Sequence, residues 1–147
     1  MQVLEFIGEK NLDVDEFNEY FSKNISPIIE GVTNSKELYE AALLYEASRS
    51  KNIPFIEIHD HFSSIVAMMV YELINGKDVE SYIDMSPGSL LITLAHFHYN
   101  IVILKKRGSV EYLKKYREDV LGIINGILER GKYINNIHML IIDKIRG

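Results

Sequence analysis

The apolar positions between residues 54 and 76 repeat at helical spacing: Phe55, Ile58, Phe62, Ile65, Met69 and Leu73 lie 3, 4, 3, 4 and 4 residues apart. That period puts them on one stripe of an amphipathic helix, and Gly76 stops it. The same rhythm recurs along the chain. Asp13-Val14-Asp15-Glu16 has capping-box spacing and opens a helix with Val14, Phe17 and Phe21 inward. Ser26-Pro27 breaks that helix or starts a short second one, which Gly31 ends. Asn34 or Ser35 caps a helix running through Leu38, Ala41, Ala42 and Tyr45 to about Ser50. Residues 78–83 read as one or two helical turns.

Ser86-Pro87 then starts a long apolar helix that ends at Gly108, and Ser109 caps the next. Val110, Leu113, Val120, Ile124 and Ile127 form the buried stripe of that helix, which Gly131 closes. The last helix spans 133–145 with Ile134, Ile137 and Ile141 inward. Residues 1–7 alternate loosely and suit a short strand or an extended arm. The pattern predicts an all-α protein: one domain over 1–147, a bundle of five to seven helices, with that N-terminal strand or arm as the one non-helical option.

Composition narrows the function. The 147 residues are 47% hydrophobic and 25% charged, which suits a globular chain able to bury one sizeable core. There is no cysteine, which excludes a disulfide framework, a thiolate metal site and a cysteine nucleophile, and fits a reducing compartment. No basic segment precedes an apolar core at the N-terminus, so no signal peptide is expected. His96, His98 and Asn100 interrupt the longest apolar run, so it falls short of the roughly 20 clean residues of a membrane span. A cytoplasmic protein without a membrane partner is the expectation. Abundant Ile, Lys, Glu and Tyr, with only three prolines, give the composition a thermophile-like cast.

Charge is divided along the chain. Residues 1–60 hold twelve acids and five bases, whereas residues 104–147 hold ten bases and five acids. A split of this kind either steers a charged partner or gives two solvated faces. Its sharpest feature is basic. Lys105, Lys106 and Arg107 end one helix, and Lys114, Lys115 and Arg117 follow on the next, across the Gly108-Ser109 turn. Tyr112 and Tyr116 supply flat faces beside them. Cations with interleaved aromatics suit nucleic acid or an acidic protein. The N-terminal half is acidic: Asp13, Asp15, Glu16 and Glu19 open a helix and could dock on a basic partner, although acids also favour a helix N-terminus for its dipole alone.

The apolar segment 87–107 carries a core stripe of Leu90, Leu94, Phe97, Ile101 and Leu104, and beside it a polar edge of Ser89, Thr93, His96, Asn100 and Arg107. That edge either lines a groove or faces solvent. Two His-x-His pairs, His59-Asp60-His61 and His96-Phe97-His98, suggest metal ligands on paper. On a helix, however, residues two apart point to opposite sides, and no H-E-x-x-H spacing occurs. His59, His61 and His96 are therefore candidates only if two helices bring them together. There is no G-x-S-x-G elbow and no glycine-rich phosphate loop. Gly122 and Gly126, four apart within a helical pattern, mark a close helix approach inside the fold or across a homodimer.

The expected function is a non-catalytic helical interaction module, a small subunit or regulator docked on a larger assembly that handles nucleic acid. It has a protein partner, nucleic acid as an option through the basic patch, and no cofactor. The alternative is a small helical enzyme or ligand binder with a histidine-lined metal site.

Overall fold

The structure, a computed structural model, describes residues 2–147. The protein is 77% helical without strands among the described residues. The described residues form ten helices: α1 (Val3–Glu9), α2 (Asp15–Asn24), α3 (Ser26–Ile29), α4 (Ser35–Ser50), α5 (Phe55–His61), α6 (Ser64–Asn75), α7 (Val79–Asp84), α8 (Pro87–Lys106), α9 (Val110–Glu129) and α10 (Asn136–Arg146). The all-α class is as expected, but the count exceeds five to seven. The extra elements have local causes.

The first is α1, where a strand or arm was expected. Val3, Phe6 and Ile7 are buried at i, i+3 and i+4, so helical spacing outweighs the loose alternation. The second is a break inside the long helix read from Phe55 to Leu73. Residues 62 and 63 separate α5 from α6, and the Val66 amide donates to Ser63 Oγ (3.2 Å). Ser63 is therefore a local start signal within an apolar periodicity that ran straight through it.

The chain divides into two compact units, Met1–Asn75 and Gly76–Gly147. In the first, α4 is the hub against which α1, α2, α3 and α6 pack, while α5 packs on α6. Ala41, Ala42, Leu43 and Leu44 of α4 are wholly inaccessible, and the small alanines let neighbouring helices close on it. Phe17 and Phe21 of α2 meet at 5.9 Å, and Phe21 meets Tyr39 of α4 at 5.8 Å. Tyr39 OH donates to Asn18 Oδ1 (2.9 Å), fastening α2 to α4. At the α2 start, Val14 takes the N-cap position. Asp13 sits one residue further out, where its Oδ1 accepts the Asp15 amide (2.9 Å). Lys10 pairs with Glu57 and lies 5.0 Å from the Phe6 ring centre.

In the second unit, α8 packs on both α9 and α10, which also meet each other, and α7 lies on α9. Leu90 and Leu94 of α8, Ile124 and Ile127 of α9, and Ile142 of α10 fill the centre and leave no water-sized space. Two polar clasps fix the ends. Asn135 Oδ1 accepts the His138 amide (3.0 Å), while the Asn135 amide donates to His138 Nδ1 (3.2 Å). That reciprocal cap opens α10. His138 Nε2–H then donates to the Pro87 carbonyl at the start of α8 (2.8 Å). Lys132 Nζ donates to the Ile83 and Met85 carbonyls (2.6 and 2.7 Å), satisfying the C-terminal end of α7 with a cation where one is favoured.

Candidate functional site

Helix α6 has apolar residues on both sides. Val66, Met69, Val70 and Leu73 face the core and are at most 5% exposed. Ile65, Met68, Tyr71 and Ile74 occupy the opposite arc and are 45%, 63%, 60% and 46% exposed. The helical period demands this division, because the two sets are offset by about half a turn. Neighbouring α5 adds Phe55 and Ile56, both also exposed. Phe55, Met68 and Tyr71 adjoin across the two helices, and an exposed apolar surface on a folded domain is a mark of interaction.

The surface is concave. Phe55 and His59 of α5, with Ser64, Ala67, Met68 and Tyr71 of α6, line a groove of about 570 Å³. Buried Ala67 has no side chain beyond Cβ, which lets the groove sink between the two helices. The Phe55 ring stands edge-on to Tyr71 with centroids 6.0 Å apart, and lies 6.1 Å from the His59 ring. The first contact joins the two walls, and the second lies within α5. From Asn52 to Gly76 the chain contains no Lys or Arg, while Glu57, Asp60 and Glu72 lie on these same two helices.

Of the large exposed apolar residues on α5 and α6, only Phe55 and Ile65 belonged to the predicted core, and the structure leaves both exposed. The overlooked signal was Ile56, Met68, Tyr71 and Ile74: apolar residues falling off the stripe that the pattern already accounted for.

The residues expected to act lie as follows. Lys105, Lys106, Arg107, Lys114 and Lys115 are exposed, and Gly108 (φ +71°) turns α8 directly into α9. Arg117 is half-buried, with its Nε withdrawn from solvent and unpartnered. Tyr112 is 75% exposed. Tyr116 is not free for stacking in the same way, since its hydroxyl accepts from Asn100 Nδ2 (2.8 Å) and ties α9 to α8. Asp13, Asp15, Glu16 and Glu19 are exposed at the head of α2.

His59 and His61 are exposed at the end of α5, and the His61 ring lies 5.4 Å from Phe6. His96 is buried in α8, and its Nδ1–H donates to the Ile92 carbonyl (3.1 Å). Among the described residues no group of three or more His, Asp or Glu side chains is arranged to hold a metal ion. Burial, with Lys144 and Arg117 adding to it, pushes His98 down to about 4.

Most of the polar edge of α8 is buried: Arg107 at its end is exposed and Asn100 half-buried, but the other three residues are enclosed. Ser89, Thr93 and His96 are at most 6% exposed. Thr93 Oγ1 donates to the Ser89 carbonyl (3.0 Å), and the Ser89 amide to Ser86 Oγ (3.4 Å). These groups are satisfied within their own helix and can be buried at little cost. Helix α8 has the length and hydropathy of a membrane span, but 56% of its most apolar window is buried inside the fold, as in a core helix. Gly126 meets Val79 of α7, whose Cγ2 lies 3.1 Å from where a Cβ would stand, whereas nothing stands within 4 Å of that point at Gly122. The close approach is thus made by a side chain, at one glycine of the pair.

No protein-family model, curated protein or solved structure matches the chain.

Proposed function

We propose that this protein is a non-catalytic helical interaction module that docks on a protein partner through the α5–α6 face. The observation that carries this reading is the exposed apolar arc Ile65, Met68, Tyr71 and Ile74 on a helix whose other side is already core. Leaving each half-exposed forfeits roughly 1 kcal/mol of apolar burial. A partner covering them would regain it, less the ordering cost of association. The module acts as a small cytoplasmic subunit or regulator of a larger assembly. The basic groups Lys105, Lys106, Arg107, Lys114 and Lys115, with Tyr112, would make a second, salt-sensitive contact to acidic protein or phosphate, which is the basis for a role on nucleic-acid machinery. The acidic head of α2 would serve as a further docking point.

The test is retention of a partner from native extract. Wild-type protein should retain one discrete protein, and Met68→Ser/Tyr71→Ser should lose it with an unchanged circular dichroism spectrum. Lys114→Glu/Lys115→Glu should weaken retention and flatten its salt dependence. Equal retention by the wild type and the α6 variant would refute docking through this face.

A further inference from the structure

The groove also carries information about what fills it. This step rests on the reading of α5–α6 as a docking face, and it concerns the class of occupant. The groove lies between two short helices, and no strand is present among the described residues to offer a sheet edge for an extended peptide. Its exposed apolar lining is Met68 and Tyr71, three residues apart on α6, with Phe55 of α5 against Tyr71, while Ile56, Ile65 and Ile74 are exposed elsewhere on the same two helices. A partner helix laid in such a dip presents its own apolar residues at i, i+3 or i+4 and i+7.

Charge then decides between a partner helix, a second copy and a membrane. Unit Met1–Asn75 contains thirteen acids and five bases, and none of the bases falls on α5 or α6. On α5, Glu57 pairs with Lys10. Exposed Asp60 lies at the end of α5, and Glu72 is on α6. Face-to-face pairing of two copies would bring two strongly acidic units together. An anionic lipid surface would meet the same repulsion. A cationic partner meets attraction along the whole approach, and apolar contact at its end.

We propose that the α5–α6 groove receives one amphipathic helix of a partner protein, with large apolar residues on the buried side and Lys or Arg flanking them.

The probe is a synthetic peptide of about 18 residues, long enough to take up helix on binding, with Leu at i, i+3, i+4 and i+7 and Lys elsewhere. Two controls accompany it: the same composition with the Leu positions scrambled, and the same pattern with Glu replacing Lys. The full chain is titrated with each, and binding is read from the methionine methyl and aromatic signals. The patterned cationic peptide should bind, perturbing Met68, Tyr71 and Phe55 first. The scrambled peptide, the acidic peptide, and the Met68→Ser/Tyr71→Ser variant should each be weaker by about tenfold or more.

Equal binding of the scrambled peptide, tighter binding of the acidic peptide, or perturbation centred on Asp13 and Asp15 would overturn the proposal. So would concentration-dependent dimerisation of the free chain that Met68→Ser/Tyr71→Ser abolishes, or adsorption to phosphatidylserine vesicles through Met68. The two readings fail separately. A partner from extract that depends on Met68 and Tyr71, with no preference among the peptides, removes the cationic helix and keeps the docking face. A partner indifferent to Met68 and Tyr71 removes the docking face itself.

Discussion

Thr93 and Met68 sit on two helices that are apolar on nearly every side, yet the threonine is 6% exposed and the methionine 63%. Helix α8 is enclosed by α9 and α10, and its Thr93 and His96 can be buried because each finds a backbone carbonyl one turn back. Helix α6 is covered by α4 and α5 on one side only, and its outer apolar residues remain largely exposed. Local hydrophobicity is similar in the two, so it does not by itself reveal which helix is core. Each packs against two other helices, and what separates them is how much of the circumference those two helices cover. The helix with apolar residues outside, rather than the one with polar residues inside, is where an external contact would be gained.

The largest test of that contrast removes equivalent groups from each helix. Leu94→Ala in α8 takes methyl and methylene groups from a filled three-helix centre and should cost about 2–5 kcal/mol. Met68→Ala in α6 should change unfolding free energy by no more than about 0.5 kcal/mol. Denaturant unfolding measures both. A cost for Met68→Ala close to that for Leu94→Ala would mean that the α6 face is structural.

A smaller contrast lies within α9. Gly126→Leu must displace Val79 and should destabilise by about 1–3 kcal/mol. Gly122→Ala enters open space on a helix and should stabilise by up to about 1 kcal/mol. Thermal melts of the pair would show whether the two glycines act alike, as a dimer seam would require, or oppositely.

The smallest effect is pH dependence, and it belongs to the second unit. Burial lowers His98, to about 4, and also lowers His138, whose Nδ1 must stay unprotonated to accept the Asn135 amide. In each case the unfolded chain takes up a proton first, near the ordinary value of about 6.5. Stability is therefore fullest above that pH and declines as pH falls toward 4. His98→Gln should make the decline shallower. Lys144 and Arg117, which disfavour a charged His98, predict that Lys144→Gln raises the His98 value in an NMR titration.

Much of this was legible in the sequence. Ser86-Pro87, Gly108 and Gly131 mark helix limits that the structure keeps, because caps and left-handed glycines act through their nearest neighbours. The α10 cap is equally local, in Asn135 and His138, but a histidine in the third position is an unusual partner and leaves no standard capping signature. The division of α5 from α6 was hidden because Phe55, Ile58, Phe62, Ile65, Met69 and Leu73 keep helical spacing across it. The groove itself was not legible as a site. An apolar side chain looks the same in sequence whether or not another helix will cover it, and only the arrangement of α4, α5 and α6 leaves Met68 bare.

Two adjacent methionines offer the most direct measurement. Met68 is 63% exposed and Met69 5%, so one chain carries a reporter on each side of α6. Methyl-labelled methionine spectra with a soluble paramagnetic agent should broaden Met68 and spare Met69 in the free protein. Adding the patterned cationic peptide, or the partner recovered from extract, should protect Met68 and leave Met69 unchanged. A Met68 methyl already shielded in the free protein, or one that stays fully accessible when the partner is bound, would contradict the account.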